Sequence, residues 1–284
     1  MPKVSIIMNC HNGDKYLREA IESVYAQSFD DWEIIFWDNC STDNSAAIAK
    51  SYDSKLLYFK SEVFTTLGAA RRLALEKANS DWAGFLDCDD LWMPDKLEIQ
   101  MGSLEKSDFI IAYGGMIEIK ECGEKIREVL PLHKTGYQLK DQLNQFEMHL
   151  VTAMIFLPAL KEYRLSFDDN VTASEEYNLF VRLAAKGVVN VIARPVAYYR
   201  VYDASLSTKK MSKWSSERRY TLEQLKSENP GLELKYPEEF KEAMARATYY
   251  DARYAYHIGD IKSAKASMKV IAKLNYKYRL LYLS

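Results

Sequence analysis

The 284-residue sequence lacks the short motifs that identify several large classes of protein. Its four cysteines, at positions 10, 40, 88 and 122, form no CxxC pair and lie at no zinc-finger spacing from a histidine. We therefore predict reduced, individually structural cysteines and no zinc site. No GxGxxG and no GxxxxGK[ST] segment is present, which argues against a dinucleotide fingerprint and a P-loop. Phosphate binding in such a chain needs other means, and a metal on paired carboxylates is one.

Long apolar runs and a strong net charge are also missing. The first twelve residues contain one lysine and a short apolar run, too little for a signal peptide or a membrane-spanning helix. We therefore predict a cytoplasmic protein. The net charge of −2 argues against a general nucleic-acid-binding protein. The 48% apolar and 27% charged residues are typical of a folded globular chain, here one large domain or two smaller ones.

Charge is distributed unevenly along the chain. After Asp260 there are six basic residues and no acidic one, interleaved with tyrosines: Lys262, Lys265, Lys269, Lys273, Tyr276, Lys277, Tyr278, Arg279 and Tyr282. One interpretation is a terminal helix with a solvated basic face. The other is a peripheral contact with an anionic membrane, to which each basic residue contributes about 1 kcal/mol.

The first 86 residues have the pattern of a parallel α/β sheet. Short apolar runs at 4–8, 32–37, 56–59 and 82–86 predict buried strands, and amphipathic segments at 14–27, 46–52 and 68–78 predict helices between them. Polar loops follow the strands. In open α/β sheets these loops meet at the carboxyl edge, where ligands bind.

The fourth strand ends in the acidic cluster Asp87-Cys88-Asp89-Asp90. Three carboxylates within four positions repel each other unless something positive lies among them. Mg²⁺ and Mn²⁺ take oxygen ligands and keep substrate phosphates in their shell, so the cluster predicts a metal that carries a phosphorylated ligand. The alternative is an acidic loop in which Asp90 or Asp95 caps a helix begun by Pro94.

Beyond residue 93 the pattern changes. It predicts helices at 94–106, 138–150 and 173–186, β-rich runs at 109–119 and 188–199, and a short apolar run at 154–157. Glu175 and Glu176 fall in the first turn of the third helix, where acids also favour the helix dipole. From residue 209 the chain is predicted to be helical, with breaks at 229–231 and at Gly259.

Five segments, in this order and spacing, resemble a family 2 glycosyltransferase with a GT-A fold. They are VSIIMNCHNGDKYLREAIESVYAQSF, WEIIFWDNCSTDNS, LGAARRLALEKANSDWAGFLDCDDLWMPDKL, FDDNVTASEEYNLFVRLAAKG and YYRVYDASLS. The resemblance covers about residues 3–205. It implies an α/β fold of the nucleotide-diphospho-sugar transferase type, with a mixed, mostly parallel central sheet flanked by helices. We expect a catalytic domain at 1–205, with a nucleotide-sugar-binding half at 1–106 and an acceptor half at 107–205, and a helical C-terminal extension at 206–284.

The same resemblance implies an activity of the bacterial surface-polysaccharide type. The expected reaction is metal-dependent, inverting transfer of a hexosyl group from a UDP-sugar to a glycan acceptor, here a lipid-linked intermediate. The expected metal is Mn²⁺ or Mg²⁺, held by the DxD pair of Asp87 and Asp89, with Asp89 in direct contact. Asp90 is expected to contact the sugar.

Further roles follow position by position from the resemblance. Cys10, His11, Asn12 and Asp38 are expected to hold the uracil and ribose, and Asp43 to support that pocket. Arg71 is expected near the donor and Arg200 at the diphosphate. Glu-Glu replaces the family's usual Glu-Asp, so Glu176 is the expected general base and Glu175 the fallback. Tyr202 stands where the family often has a histidine, and Cys88 replaces the usual serine.

Two other functions remain open from the sequence. A sugar-nucleotide pyrophosphorylase can share the sheet, but it is expected to carry a glycine-rich N-terminal loop with a basic residue, which His11-Asn12-Gly13 does not supply. A catalytically silent GT-A domain could instead act as a binding module through its helical tail.

Overall fold

The computed structural model of the chain describes residues 2–104, 108–202, 210–274 and 278–279. Within these residues nine strands form one mixed sheet. The strands are β1 (Val4–Cys10), β2 (Trp32–Asp38), β3 (Leu56–Lys60), β4 (Trp82–Phe85), β5 (Leu91–Trp92), β6 (Phe109–Ile119), β7 (Lys125–Val129), β8 (Met154–Phe156) and β9 (Val188–Arg200). Their order is β3-β2-β1-β4-β8-β6-β9-β5, with β7 paired to β6.

The first four strands of the sheet order are parallel, as the sequence predicts. Apolar side chains alternate between two clusters. Ile6 and Met8 face helices α1 (Asp14–Tyr25) and α4 (Lys96–Leu104), whereas Ile7 faces α3 (Leu67–Leu75) and α7 (Glu175–Ala184). Both faces of these strands are therefore covered, which explains their continuous apolar runs. The loops after β1, β2 and β4 meet at one edge.

The other strands bring distant residues to that edge. β8 runs antiparallel between β4 and β6, and β6 runs parallel to β9. The two-residue strand β5 follows the acidic cluster and pairs with β9 through Leu91 and Tyr198. This pairing places the end of β9 beside the acidic cluster. Neither β5 nor β7 is predicted from the sequence.

The remaining helices are α2 (Ser45–Ala49), α5 (Leu139–Asn144), α6 (Leu157–Tyr163), α8 (Trp214–Glu228), α9 (Leu232–Lys235), α10 (Pro237–His257) and α11 (Ile261–Ile271). The predicted helix 138–150 is wrong beyond Asn144. There the Glu147 carboxylate accepts hydrogen bonds from the backbone N–H groups of Leu132 and His133 and from the Tyr113 hydroxyl. These contacts hold the segment out of helical geometry, and a short 3₁₀ turn, Leu150–Thr152, follows.

The C-terminal helices share a core with α7. Tyr177 and Val181 of α7 lie in one cluster with Leu222 of α8 and Phe240 of α10. The predicted boundaries at 106/107 and 205/206, and the tail residues Tyr276, Lys277 and Tyr282, lie outside the described residues. Among the helices that the structure does describe, none is both long and apolar enough to cross a bilayer.

Candidate active site

The loop after β1 is tied to the loop after β2 by hydrogen bonds. The Asn12 side-chain carbonyl accepts a bond from the backbone N–H of Thr42 at 2.8 Å, and Asn12 adopts a φ of 54°. The His11 ring nitrogen Nδ1 lies 2.9 Å from the carbonyl oxygen of Asn39, to which it can only donate, and the ring packs against Phe64. His11 and Asn12 are exposed at the sheet edge. Both are therefore accessible to a ligand.

Asp38 lies beneath this loop and is fully buried. Its carboxylate accepts hydrogen bonds from the Tyr58 hydroxyl at 2.5 Å and from the backbone N–H of Ser41 at 2.7 Å. Burial and the adjacent carboxylate raise the pKa of Tyr58. An open cavity of about 500 Å³ lies beside the loop, lined by Cys40, Ser41, Thr42, Lys60, Ser61 and Glu62. Asp38 thus fixes one wall of a polar cavity at the strand edge.

Asp43 joins the starts of two helices. Its carboxylate accepts hydrogen bonds from the backbone N–H groups of Asp14 and Ser45, each at 3.0 Å. Burial would raise the pKa of Asp43, but these hydrogen bonds outweigh it and lower the pKa. The residue therefore supports the loop, consistent with its predicted place behind the pocket.

Cys10 and Cys88 lie against each other where β1 and β4 end. A Cβ atom on Gly13 would lie only 3.0 Å from the Cys88 Cβ and 3.1 Å from the Cys10 sulfur, so a larger residue there would need these neighbours to move by a few tenths of an ångström. A hydrogen bond between the thiols lowers the pKa of Cys10 and raises that of Cys88. Both cysteines are free, as predicted, but they are in contact rather than individually placed.

Arg71 connects the acidic cluster to the first turn of α7. Its side chain is only 4% exposed, and its guanidinium donates to Glu175 at 2.6 Å and to Asp87 at 2.9 Å. The sequence places Arg71 near a donor phosphate or sugar, whereas the structure places it between two carboxylates. The Arg71 bridge, defined as Asp87, Arg71 and Glu175, brings together residues 88 positions apart in sequence (175 minus 87).

Glu176 lies next to this bridge and is only partly buried. Burial and the neighbouring Glu175 carboxylate raise the pKa of Glu176 to about 7, while Arg71 acts in the opposite direction. A carboxyl group with a pKa near the working pH is suited to accept a proton from a hydroxyl group. Glu175 is buried and ion-paired with Arg71, whereas Glu176 has no ion pair among the described residues.

Asp89 is hydrogen-bonded to Tyr202, whose hydroxyl donates to its carboxylate at 2.7 Å. Burial and the nearby Asp87 raise the pKa of Asp89. The phenol thus contacts the predicted metal ligand from the position where the family often has a histidine. The sequence could not supply this contact, because Tyr202 is 113 positions from Asp89.

Asp90 and Arg200 form a buried support behind the cluster. The Asp90 carboxylate accepts a bond from the backbone N–H of Arg200 at 2.8 Å, and burial raises the pKa of Asp90 well above its usual value. The Arg200 guanidinium donates to the carbonyl oxygens of Asp89 and Glu121 and to the Glu19 carboxylate. Both side chains are therefore engaged within the protein.

The alternative role as a helix cap does not hold for Asp90, whereas Asp95 directly precedes α4 and its backbone carbonyl accepts a hydrogen bond from the N–H of Ile99. Helix α4 begins at Lys96, after the cluster. The Asp90 carboxylate is bonded to Arg200, and the Asp95 carboxylate is paired with Arg194 at 2.8 Å.

The residues present fit a divalent cation that also binds a diphosphate. No three acidic, cysteine or histidine side chains converge as a complete metal site within the described ranges. Asp87, 38% exposed, and Asp89 still offer the oxygen ligands that Mg²⁺ and Mn²⁺ prefer, and one or two carboxylates suffice when phosphates and water complete the shell. The repulsion that raises the pKa of Asp89 is what a cation would offset.

Comparison with known proteins gives a family model and curated relatives. The model described as glycosyl transferase family 2 matches residues 5–164. An uncharacterized glycosyltransferase of Rickettsia felis is 29% identical over 201 residues, covering 70% of this chain and 33% of that protein. The putative teichuronic acid biosynthesis glycosyltransferase TuaG of Bacillus subtilis is 26% identical over 222 residues, covering 77% of this chain and 85% of its own. The chain thus spans about a third of the Rickettsia relative.

Solved structures share the fold at low sequence identity. The S. aureus TarS fragment 1–349 in complex with UDP-GlcNAc has a TM-score of 0.75 at 16% identity, covering 96% of this chain and 81% of that one. The mannosyltransferase PcManGT of Pyrobaculum calidifontis, in complex with GDP-Man and Mn²⁺, has a TM-score of 0.58 at 16% identity, covering 99% and 83%. The GT-A fold expected from the sequence is confirmed.

Proposed function

The chain belongs to glycosyl transferase family 2, and from that membership we propose that it transfers a sugar from a UDP-sugar to a hydroxyl group of a glycan acceptor, with inversion at the anomeric carbon. The observation that supports this most strongly is the Arg71 bridge. It sets the first turn of α7, with Glu176, beside the acidic cluster. Displacement of UDP by an acceptor hydroxyl needs a base for the hydroxyl proton and a site that binds the departing diphosphate.

The donor half of the reaction uses the sheet edge. His11, Asn12 and the cavity beside Asp38 would hold the nucleoside. Asp87 and Asp89 would hold Mn²⁺ or Mg²⁺, which when bound supplies positive charge to the diphosphate as UDP departs. UDP is favoured over other nucleotides because the TarS fragment was solved with UDP-GlcNAc, although PcManGT was solved with GDP-Man.

The acceptor half of the reaction uses Glu176. Its carboxylate would take the proton of the acceptor hydroxyl as that oxygen attacks the anomeric carbon opposite the departing UDP. Glu175 cannot do this without giving up its ion pair with Arg71. No covalent intermediate is needed, so an α-linked donor would give a β-linked product.

A lipid-linked acceptor of polysaccharide synthesis is the proposed substrate. TuaG is a putative teichuronic acid biosynthesis glycosyltransferase. Helix α11 and the turn after it support a contact with an anionic membrane, since Lys262, Lys265 and Lys269 of the helix and Lys273 of the turn are exposed, as is Val270. We expect salt-sensitive sedimentation with phosphatidylglycerol vesicles but not with phosphatidylcholine vesicles. Sedimentation with neither leaves the solvated basic face as the interpretation.

Thermal unfolding with nucleotides tests the donor site. The panel is UDP, GDP, CDP and TDP with their common sugar conjugates, each with and without Mn²⁺ or Mg²⁺. A ligand at 100 times its dissociation constant stabilises the fold by about 2.7 kcal/mol, which is visible as a melting shift. We expect a metal-dependent shift with uridine nucleotides that is lost in Asp89→Ala.

Three other results would change the proposal, two from the panel and one from a separate assay with a nucleoside triphosphate and a sugar phosphate. If no nucleotide shifts the melt of the folded protein, the silent binding module is favoured. If a nucleoside triphosphate with a sugar phosphate is converted to a sugar nucleotide, the pyrophosphorylase is favoured. A shift with guanosine nucleotides alone would replace the donor class but keep the transfer reaction.

A further inference from the structure

Helix α8 presents a row of polar side chains to the segment that carries the candidate base. Its members recur at helical spacing on one face and are Glu217, Tyr220, Thr221, Gln224 and Glu228. Each is hydrogen-bonded to a residue between 168 and 182. This polar face of α8 lies beyond the 5–164 region matched by the family model.

Glu217 makes the contacts nearest the base. Its carboxylate is buried and accepts hydrogen bonds from the backbone N–H of Thr172 at 2.8 Å, the Thr172 hydroxyl at 2.9 Å and the backbone N–H of Ala173 at 2.9 Å. Lys210 donates to the Thr172 carbonyl oxygen, and Lys213 to its hydroxyl. Every polar group of Thr172 is therefore held by residues from 210 to 217.

The contacts of Glu217 hold the backbone immediately before the first turn of α7. Ala173 precedes Ser174, at the start of α7, and Glu175 and Glu176 follow. Farther along α7, the Asn178 amide donates to Thr221 at 3.0 Å and to Gln224 at 2.6 Å. The first turn of α7 is thus fixed from two sides, by Arg71 of α3 and by the polar face of α8.

We propose that Glu217 is a positioning residue that sets the orientation of Glu176 toward the acceptor. The inference rests on the proposed transfer reaction. Glu217 touches no substrate and acts through the backbone of Thr172 and Ala173. A displacement of about 1 Å at a reacting group can lower a rate about 100-fold, so three hydrogen bonds at this point matter more for rate than for donor binding.

The test uses Glu217→Gln, which keeps the size of the side chain but turns one acceptor oxygen into an N–H donor facing N–H groups. We expect a fall in kcat of roughly 10- to 100-fold with an unchanged KM for the donor. The midpoint of the rise of kcat with pH should also shift away from about 7, the pKa of Glu176 in the native protein. Glu223→Gln on the same helix is the matched control, because Glu223 is exposed and its ion pair is with Lys226, so this variant should behave as the native protein.

Amide hydrogen exchange gives a readout that needs no activity. In Glu217→Gln, the amides of Thr172 and Ala173 should exchange faster than in Glu223→Gln. If the native protein shows no transfer with any donor, faster exchange still supports the contact and unchanged exchange overturns it, so the two proposals fail separately. If Glu217→Gln does not fold, Thr172→Val removes one of the three hydrogen bonds and should give a smaller loss of kcat.

Two results would overturn the positioning role in an active protein. The first is a kcat and pH profile in Glu217→Gln equal to those of Glu223→Gln. The second is a parallel loss of donor binding and kcat, which indicates general loosening of the fold rather than an effect through Glu176.

Discussion

Removal of the Arg71 guanidinium should destabilise the protein more than removal of any surface arginine. In Arg71→Met, Glu175 loses its ion-pair partner. Both side chains are only 4% exposed, so water cannot take the place of the lost guanidinium. Breaking a buried pair by removing one partner costs about 3–5 kcal/mol. Asp87 adds little to this loss, since its side chain is 38% exposed and can be hydrated.

The measurement is urea unfolding followed by tryptophan fluorescence, on a chain with five tryptophans. In a thermal melt, the same loss should lower Tm by roughly 6–20 °C, at about 2–4 °C per kcal/mol for a domain of this size. Arg72→Met is the matched control on the same helix. Arg72 pairs with Asp169 and Glu76 at a surface where such pairs contribute about 0–1 kcal/mol.

A double variant separates charge from packing. Arg71→Met with Glu175→Gln removes the buried carboxylate that lost its partner and leaves only Asp87 unpaired from the bridge, which is 38% exposed and can be hydrated, so most of the lost stability should return. A loss below about 1 kcal/mol in the single variant, or an equal loss in the single and double variants, would refute the argument that this bridge is an essential buried ion pair.

Two further predictions concern Lys96 and Tyr202. Lys96 is fully buried, donates to the side-chain oxygen of Gln100 and has its pKa lowered well below 10.5 by burial. Between that lowered pKa and about 10.5, the unfolded chain therefore binds more protons at Lys96 than the folded chain does. The stability of the native protein should therefore rise with pH up to about 10.5. Lys96→Met should raise the free energy of unfolding at pH 7 by on the order of 1 kcal/mol, and urea titrations should show this gain shrinking as the pH approaches 10.5. A gain that does not change with pH would contradict this. Tyr202→Phe should weaken Mn²⁺ binding by about 10- to 100-fold in metal titrations with UDP present, because it removes the hydrogen bond that orients Asp89; unchanged metal affinity would show that the phenol has no such role.

The parallel part of the fold could be predicted because its rules are local. A strand covered on both faces needs a continuous apolar run, so Val4–Cys10 and Trp32–Asp38 are visible in the sequence and are observed within a residue or two of the predicted bounds. The meeting of their loops at one edge follows because the strands are parallel, whereas the order of the four strands comes from the structure.

The elements that depend on distant partners could not be predicted. Strand β5 has only two residues, and it exists because Leu91 pairs with Tyr198 far along the chain. The predicted helix 138–150 ends early because Glu147 bonds to Leu132 and His133, which no helical period reveals.

The candidate site shows the same division. The acidic cluster and the two glutamates were named from motifs, but the partners that hold them were not. The motif places Arg71 near the donor but does not reveal that its guanidinium pairs with Asp87 and Glu175. Glu217 has no sequence signal, because a single glutamate on a predicted helix is typical of a solvated face.

The central claim is that Glu176 activates the acceptor, and it is tested most directly by the pH dependence of UDP release. We expect a rate that rises with pH through about 7 as Glu176 loses its proton. We also expect Glu176→Gln to abolish release while leaving the nucleotide-induced melting shift intact. A Glu176→Gln variant that releases UDP at the native rate, with the same pH profile, would contradict it.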